Sequence, residues 1–383
     1  MLRQLCLIIS GAICTDMLRK NRLGYYHASF CLAVVVFLII FQMDSAVFLP
    51  DWGYASRDIN EVQQLPPTKW SDRYPRCNGT RQSPISINSS TAQADGSLTE
   101  VGYYNYAARA VDDLWTIANT GHVVLFSGNF KNTPGIHSAG LSIPYFFQQM
   151  HFHWGAVNNR GSEHVIDGRR YPLELHIVHR SHDEMEHWQP YDITSSSDSI
   201  GTAVIAVMFE LAQEGDEKNE HLDRLFHALA AATLIDSAPI NISLPELTLF
   251  DLLPQHQSYY RYIGSLTTPP CAEAVIWTVM EQPLKVTEEQ LEIFRHLRET
   301  VEYYPPVEHV DVVAKKSERD VEIVDNFRPL QDLNKRIVTH FAVATSNPPE
   351  AETVSKGHRY RLKGRNSGVL LIVLVFCIIT RYI

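Results

Sequence analysis

Between about Pro50 and Leu333, short apolar runs rich in β-branched and aromatic residues recur between Gly, Pro and Asn turns, with no linker, repeat or low-complexity stretch among them. Runs of that kind predict strands, so this part of the chain reads as one mainly β domain, here taken as residues 47–333. Two segments carry helical spacing instead. Across Asn219–Leu234 the residues Leu222, Leu225, Phe226 and Leu229 recur three or four apart, which predicts a helix with one buried stripe. Across Thr287–Leu297, Thr287 stands as an N-cap with Gln290 at the third helical position, the capping-box arrangement. After Leu333 the chain turns polar through Ser346-Asn347-Pro348-Pro349-Glu350, and residues 334–367 read as a flexible stalk.

Two of the strand segments carry chemistry. In the MHFHWG segment His151 and His153 are two apart, and in the LELHIVH segment Glu174, His176 and Val178 are spaced likewise. Strand side chains alternate faces, so each set shares one face, and pairing the strands brings His176 to the other two histidines. An isolated H-x-H on a strand is usually an exposed pair, and the chain has 17 histidines. The neighbours change that reading. Gln149 and Glu174 each lie two residues before a histidine on the same face, where they can accept the second ring N–H and fix its tautomer. Three neutral imidazoles are a catalytic zinc set, because they leave the fourth tetrahedral position to water.

The ends of the chain add a compartment. A basic cluster at Met17-Leu18-Arg19-Lys20-Asn21-Arg22, an apolar run from Phe30 to Phe41 and small residues at Ser45-Ala46 form a signal-peptide pattern over residues 1–46, with Met17 as an alternative start. A signal anchor is the competing reading. At the other end Val369–Ile379 is apolar but short for a span of about 20 residues. With small residues such as Ser355 and a polar spacer before it, the tail 368–383 fits a GPI-attachment signal, a short tilted span being the alternative. Either reading of the tail implies a cell-surface, membrane-attached ectodomain.

Cys6, Cys14, Cys31 and Cys377 fall within or beside these end segments, leaving Cys77 and Cys271. An even pair in an exported domain suggests one disulfide, with two buried thiols as the other reading. A bridge would close a loop of nearly two hundred residues, worth up to about 5 kcal/mol in the chain-entropy model. Sequons at Asn78, Asn88 and Asn241 agree with a secretory route. The composition, 45% hydrophobic and 20% charged, is that of a globular protein. A net charge of -10 and a pI near 5.9 argue against nucleic acid as the partner.

Further segments accompany the histidines: Gln82-Ser83-Pro84-Ile85, Asn119-Thr120-Gly121-His122, Ser162-Glu163-His164, Gly264-Ser265-Leu266-Thr267-Thr268-Pro269-Pro270 and Asn326-Phe327-Arg328-Pro329. In that order, from about Asp51 to Leu333, the chain resembles the α-class carbonic anhydrases. The resemblance implies a mainly β (α+β) single domain, with a large, twisted, mostly antiparallel central sheet and short peripheral helices. It implies zinc on His151, His153 and His176, ionising a bound water that attacks CO2 to give bicarbonate. Thr267 then matches the residue that accepts the hydrogen of the nucleophile, and Glu163 the carboxylate that takes the hydroxyl hydrogen of that threonine. A hydroxyl that must donate to a carboxylate keeps its oxygen as an acceptor.

By the same resemblance Val178, Val204, Leu266 and Trp277 form the apolar wall that CO2 needs, Thr268 helps to place substrate or product, and Asn326 supports a ligand. His122 matches the proton-shuttle histidine, a role suited to a group with an ordinary pKa near 6.5. Relatives of the secreted and membrane-bound kind carry cysteines at the places of Cys77 and Cys271, and family structures suggest cis peptides at Ser83-Pro84 and Pro269-Pro270. Two departures stand out: Thr120, where fast members have asparagine, and Arg180, where many have tryptophan. The alternatives are an inactive ectodomain of this fold that serves as an interaction module, and an unrelated zinc hydrolase. The second lacks any H-E-x-x-H helix. The first would be favoured by a lost zinc ligand, whereas all three are present.

Overall fold

The computed structural model describes residues 52–55, 57–59, 62–182, 200–216, 219–232, 239–299 and 321–343. The signal segment, most of the stalk and the apolar tail lie outside the described residues. Ten strands form a continuous hydrogen-bonded path: β1 Gln93–Ala94, β2 Leu114–Asn119, β3 Val124–Gly128, β4 Tyr145–Trp154, β5 Leu173–Ser181, β6 Thr202–Leu211, β7 Ile240–Ser243, β8 Tyr259–Gly264, β9 Val275–Met280 and β10 Thr339–Phe341. Their order is β7-β2-β3-β4-β5-β6-β9-β8-β10-β1, within a 13-stranded sheet of the described residues. Neighbours along the path run antiparallel except β6 with β9 and β10 with β1, so the sheet is mixed but mostly antiparallel.

The central strands bury both faces. Every residue of β5 is buried, as is β6 from Thr202 to Phe209. On one face Leu173, Leu175 and Ile177 of β5 join Phe152 and Trp154 of β4 and Ile205 and Phe209 of β6 in the larger core. Two helices cover that face. In α1, Glu220–Ala232, the anticipated stripe of Leu222, Leu225, Phe226 and Leu229 is buried, and Asn219 Oδ1 caps the helix by accepting from His221 N and Leu222 N. In α2, Glu288–Arg295, both bonds of the Thr287–Gln290 capping box are made. On the opposite face Val178, Val204, Met208 and Trp277 belong to a second apolar cluster. Alternation along the same strands therefore serves two cores, and the polar residues of the histidine face sit beside the second.

The fold extends past the boundary expected at Leu333. Thr339–Phe341 pairs with β8, Gln93 N bonds Val338 O at 2.9 Å, and Val338 is buried. Residues 334–343 thus belong to the domain, because their backbone extends the sheet while Val338 and Phe341 pack against its two cores. Cys77 and Cys271 form a disulfide, packed with Trp52 and Trp70 in a third cluster.

His179 is a buried base on the core side of the sheet. It is fully buried on β5, its Nδ1 donates to Ala203 O at 3.2 Å, and its Nε2 therefore accepts from the Tyr106 hydroxyl. Burial pushes its pKa down to about 3. The unfolded chain takes up this proton near pH 6.5 while the folded chain refuses it, so the associated stability is complete above pH 6.5 and is lost as pH falls toward 3, by roughly 1.4 kcal/mol per pH unit. Urea unfolding should therefore show the stability gap between native protein and His179→Gln narrowing from pH 7 to pH 4.5. A gap of equal size at both pH values would mean that the folded protein protonates His179.

Candidate active site

The register of β4 and β5 assembles the histidines. His176 stands directly opposite His151, and Glu174 opposite His153. Ring nitrogens of His151, His153 and His176 lie within 4.8 Å of one another, the geometry in which such residues hold a metal ion. Each ring is tied from behind. His151 Nδ1 donates to Gln149 Oε1 at 2.8 Å, His153 Nδ1 to Asn326 O at 2.7 Å, and His176 Nε2 to Glu174 Oε1 at 2.7 Å. Burial, reinforced by the neighbouring histidines, holds the pKa of His151 well below its ordinary value, and burial likewise lowers that of His153.

This geometry is a fit test for a cation. His153 Nε2 and His176 Nδ1 face each other at 3.1 Å. In the neutral rings each has already spent its one N–H on the partner behind it, so two lone pairs meet rather than a donor and an acceptor. A divalent cation between them satisfies both. Glu163 Oε2 adds to the same picture: it is buried without a hydrogen-bond partner, 3.5 Å from His153 Nε2. The three imidazoles are the donor set that zinc takes when one position stays open.

A relay supports His176 from below. Glu174 is fully buried, and its carboxyl also accepts His164 N at 2.8 Å and His164 Nδ1 at 2.7 Å. Despite burial, these histidine partners hold its pKa well below the usual carboxylate range. His164 Nε2 meets the Tyr262 hydroxyl, which in turn bonds Ser83 Oγ. Ser83 and Ser265 exchange two bonds, Ser83 N to Ser265 Oγ at 2.9 Å and Ser265 N to Ser83 Oγ at 3.0 Å. Gly264 permits that approach, since a Cβ there would lie 2.1 Å from Ser83 Oγ. His164, Tyr262 and Ser83 had no assigned role in the sequence, although two of them lie in the quoted motifs.

The other expected site residues fall as follows. Val178, Val204 and Trp277 are buried in one cluster with Leu266 packed against it, and Val204 pairs with both Val178 and Trp277 across the sheet. The Trp277 ring lies 4.8 Å from that of His176, so the apolar wall touches the histidine group. Thr267 is buried and Thr268 half-buried in the turn closed by Cys271 N to Thr268 O at 2.9 Å. Glu163 Oε1 accepts Arg328 N at 2.8 Å, while Oε2 turns toward the imidazoles. Among the described residues no hydrogen bond joins Thr267 to Glu163, in contrast to the expected pairing.

His122 sits in the hairpin turn between β2 and β3. Asn119 Oδ1 accepts Gly121 N, Thr120 Oγ1 bonds Val123, and Gly121 takes a φ of 79° that favours glycine. The ring is buried, 4.0 Å from that of Trp52, and its Nε2 donates to Trp52 O at 2.7 Å. With Tyr54, Gln64 and Asp325, His122 and Asn326 line a cleft of about 280 Å³. Arg180 lies beyond a bulge in the β4–β5 ladder and donates to Gln148 Oε1 at 2.8 Å. Asn78, Asn88 and Asn241 are all exposed.

A family model described as eukaryotic-type carbonic anhydrase matches residues 65–342. Carbonic anhydrase 7 of Mus musculus is 34% identical over 292 residues, covering 75% of this chain and 96% of its own length. Carbonic anhydrase 12 of Homo sapiens is 35% identical over 272 residues, covering 70% and 69%. Carbonic anhydrase 4 of Oryctolagus cuniculus is 34% identical over 290 residues, covering 75% and 83%.

The three-histidine geometry predicts that His176→Ala will lose stoichiometric zinc, read by atomic emission on protein dialysed against trace metal. Retention of one zinc per chain would place the metal elsewhere.

Proposed function

Because the chain belongs to the eukaryotic-type carbonic anhydrase family and has carbonate dehydratase activity, we propose that it hydrates CO2 reversibly at a zinc centre held by His151, His153 and His176. The observation that carries this reading is the pair of facing lone pairs on His153 and His176 beside a buried, unpartnered carboxylate oxygen. Zinc bound there would supply acidity, bringing the pKa of a coordinated water far below that of bulk water to near 7, so that a nucleophile exists at neutral pH.

The chain's own residues supply orientation, an apolar wall and a proton route. Glu163 Oε2, with its acceptor capacity unspent, is proposed to take the Thr267 hydroxyl hydrogen, which leaves Thr267 Oγ1 as an acceptor toward the attacking oxygen. Val178, Val204, Leu266 and Trp277 exclude water beside it and receive apolar CO2, with Thr268 at the rim. Gln149, Glu174 and Asn326 hold the ligand rings in the tautomers that coordination needs. His122 is proposed to carry the proton away. Its Nε2 donates to Trp52 O, which tethers the ring for that role.

We further infer a cell-surface location through a GPI anchor, supported by the two terminal segments, the exposed sequon asparagines and the Cys77–Cys271 bond. Among the described residues no helix is long and apolar enough to cross a membrane. The reading as an inert interaction module is not favoured, since the metal-ligand group is complete and its supporting bonds are made.

Stopped-flow assays on the purified, zinc-loaded domain should give CO2 hydration far above the buffer rate, and hydration at the buffer rate would sink the proposal. His122→Ala should lower kcat by about tenfold or more while changing kcat/KM less, with imidazole buffer restoring turnover. Equal loss in both constants would instead mean damage at the metal centre. Release of surface activity by a phosphatidylinositol-specific phospholipase tests the anchor; activity that stays on the membrane after treatment speaks for a span.

A further inference from the structure

Arg328 is 2% exposed and, among the described residues, no carboxylate bonds its guanidinium. Its side chain instead spends three bonds on two segments remote in sequence: Nη1 donates to Gln82 Oε1 and Ser83 O, each at 2.9 Å, and Nη2 to Cys77 O at 3.0 Å. Gln82 completes a cross-brace by donating its Nε2 to Cys271 O at 3.2 Å. The carbonyls of both disulfide cysteines are thus held by one Arg–Gln pair. The guanidinium also lies 5.5 Å from the Trp70 ring, within the aromatic cluster around the disulfide. Burial lowers its pKa to about 10, which leaves it charged at neutral pH.

The backbone of the same residue reaches the active site. Arg328 N holds Glu163 Oε1 at 2.8 Å and leaves Oε2 as the oxygen that faces the histidines. The loop carrying Thr267 is closed at one end by the Ser83–Ser265 exchange and at the other by Cys271. Both closures rest on segments that the guanidinium grips. A displacement of the Arg328 backbone therefore moves the acceptor Glu163, and release of its side chain frees the frame of Thr267.

We propose that Arg328 is a positioning residue for the hydration reaction, its guanidinium fixing at once the amide that aims Glu163 and the two strands of chain that frame the Thr267 loop. The inference rests on the role given to Glu163 above. Misplacement of a reacting group by about 1 Å costs up to about a hundredfold in rate, whereas a merely structural arginine affects only the fraction of protein that is folded.

The test compares Arg328→Met, Arg328→Lys and Glu163→Gln by stopped-flow hydration normalised to bound zinc, and by amide hydrogen exchange at residue 328 in the metal-free protein. Arg328→Met should lose about ten- to hundredfold in kcat/KM per bound zinc and lose protection of the residue 328 amide. Arg328→Lys, which keeps the charge and part of the bonding, should recover most of both. If Arg328→Met does not accumulate in folded form, Gln82→Met, which removes one arm of the brace, should show the same two changes to a smaller degree. Native kcat/KM per zinc, or native protection of that amide, in the folded variant would overturn the proposal. A damaged Glu163→Gln beside an unaffected Arg328→Met defeats the brace alone. An unaffected Glu163→Gln defeats the role of Glu163, and the proposal with it.

Discussion

The register between β4 and β5 is the constraint on which the rest of the molecule depends. His176 opposite His151 is one rung of a ladder whose other rungs place Leu175 opposite Phe152 and Ile177 opposite Met150. A slip of one residue would turn every side chain of β5 to the other face, taking the histidines out of the site and putting charged Glu174 into the larger core. The apolar residues of one face thus specify the position of the polar residues of the other. Helices α1 and α2 contribute to the chemistry in this indirect sense, by making the buried side of that ladder costly to expose.

Burying the histidine face has its own cost, since polar groups withdrawn from water destabilise unless they are bonded. The protein meets this by assigning acceptors one at a time. Gln149, Asn326 and Glu174 take the outward N–H of each ring, Glu174 is satisfied further by His164, and the chain passes through Tyr262 to Ser83. On the inner side of this face, the facing nitrogens of His153 and His176 and Glu163 Oε2 are left for another partner. These are groups that a cation and an attacking oxygen would use.

Much of this was legible in the chain because it rests on local spacing. The i, i+2 histidines, Gln149 and Glu174 behind them, the α1 stripe and the Thr287–Gln290 box all depend on periods that a sequence displays directly. The Cys77–Cys271 bond was readable because so few cysteines remained once the ends were set aside, although free thiols stayed open until the structure joined them. The end of the domain was less visible: β10 is short and half-buried, and its apolar anchors, Val338 and Phe341, are only two residues set among charged and polar ones. His164, Tyr262 and the side chain of Arg328 were invisible as functional groups for a related reason. Their partners lie between 10 and 251 residues away, and nothing in the identity of an arginine or tyrosine announces which carbonyl or hydroxyl it will meet.

The same distinction separates His122 from the three clustered histidines. Its position is determined locally, by the Asn119 and Thr120 bonds and the positive φ of Gly121, which point the turn in one way. Its environment is determined remotely, by a carbonyl of Trp52 seventy residues earlier. A ligand histidine must be rigid and neutral, and its neighbours supply acceptors that enforce both. A proton carrier must instead exchange its proton at one ring nitrogen while remaining tethered at the other. In the proposed shuttle role, donation from Nε2 to a backbone carbonyl supplies the tether. His122 and the three clustered histidines therefore differ less in residue type or burial than in how each ring is held: acceptors behind His151, His153 and His176 make their far nitrogens converge, whereas a remote carbonyl tethers His122 in a hairpin turn.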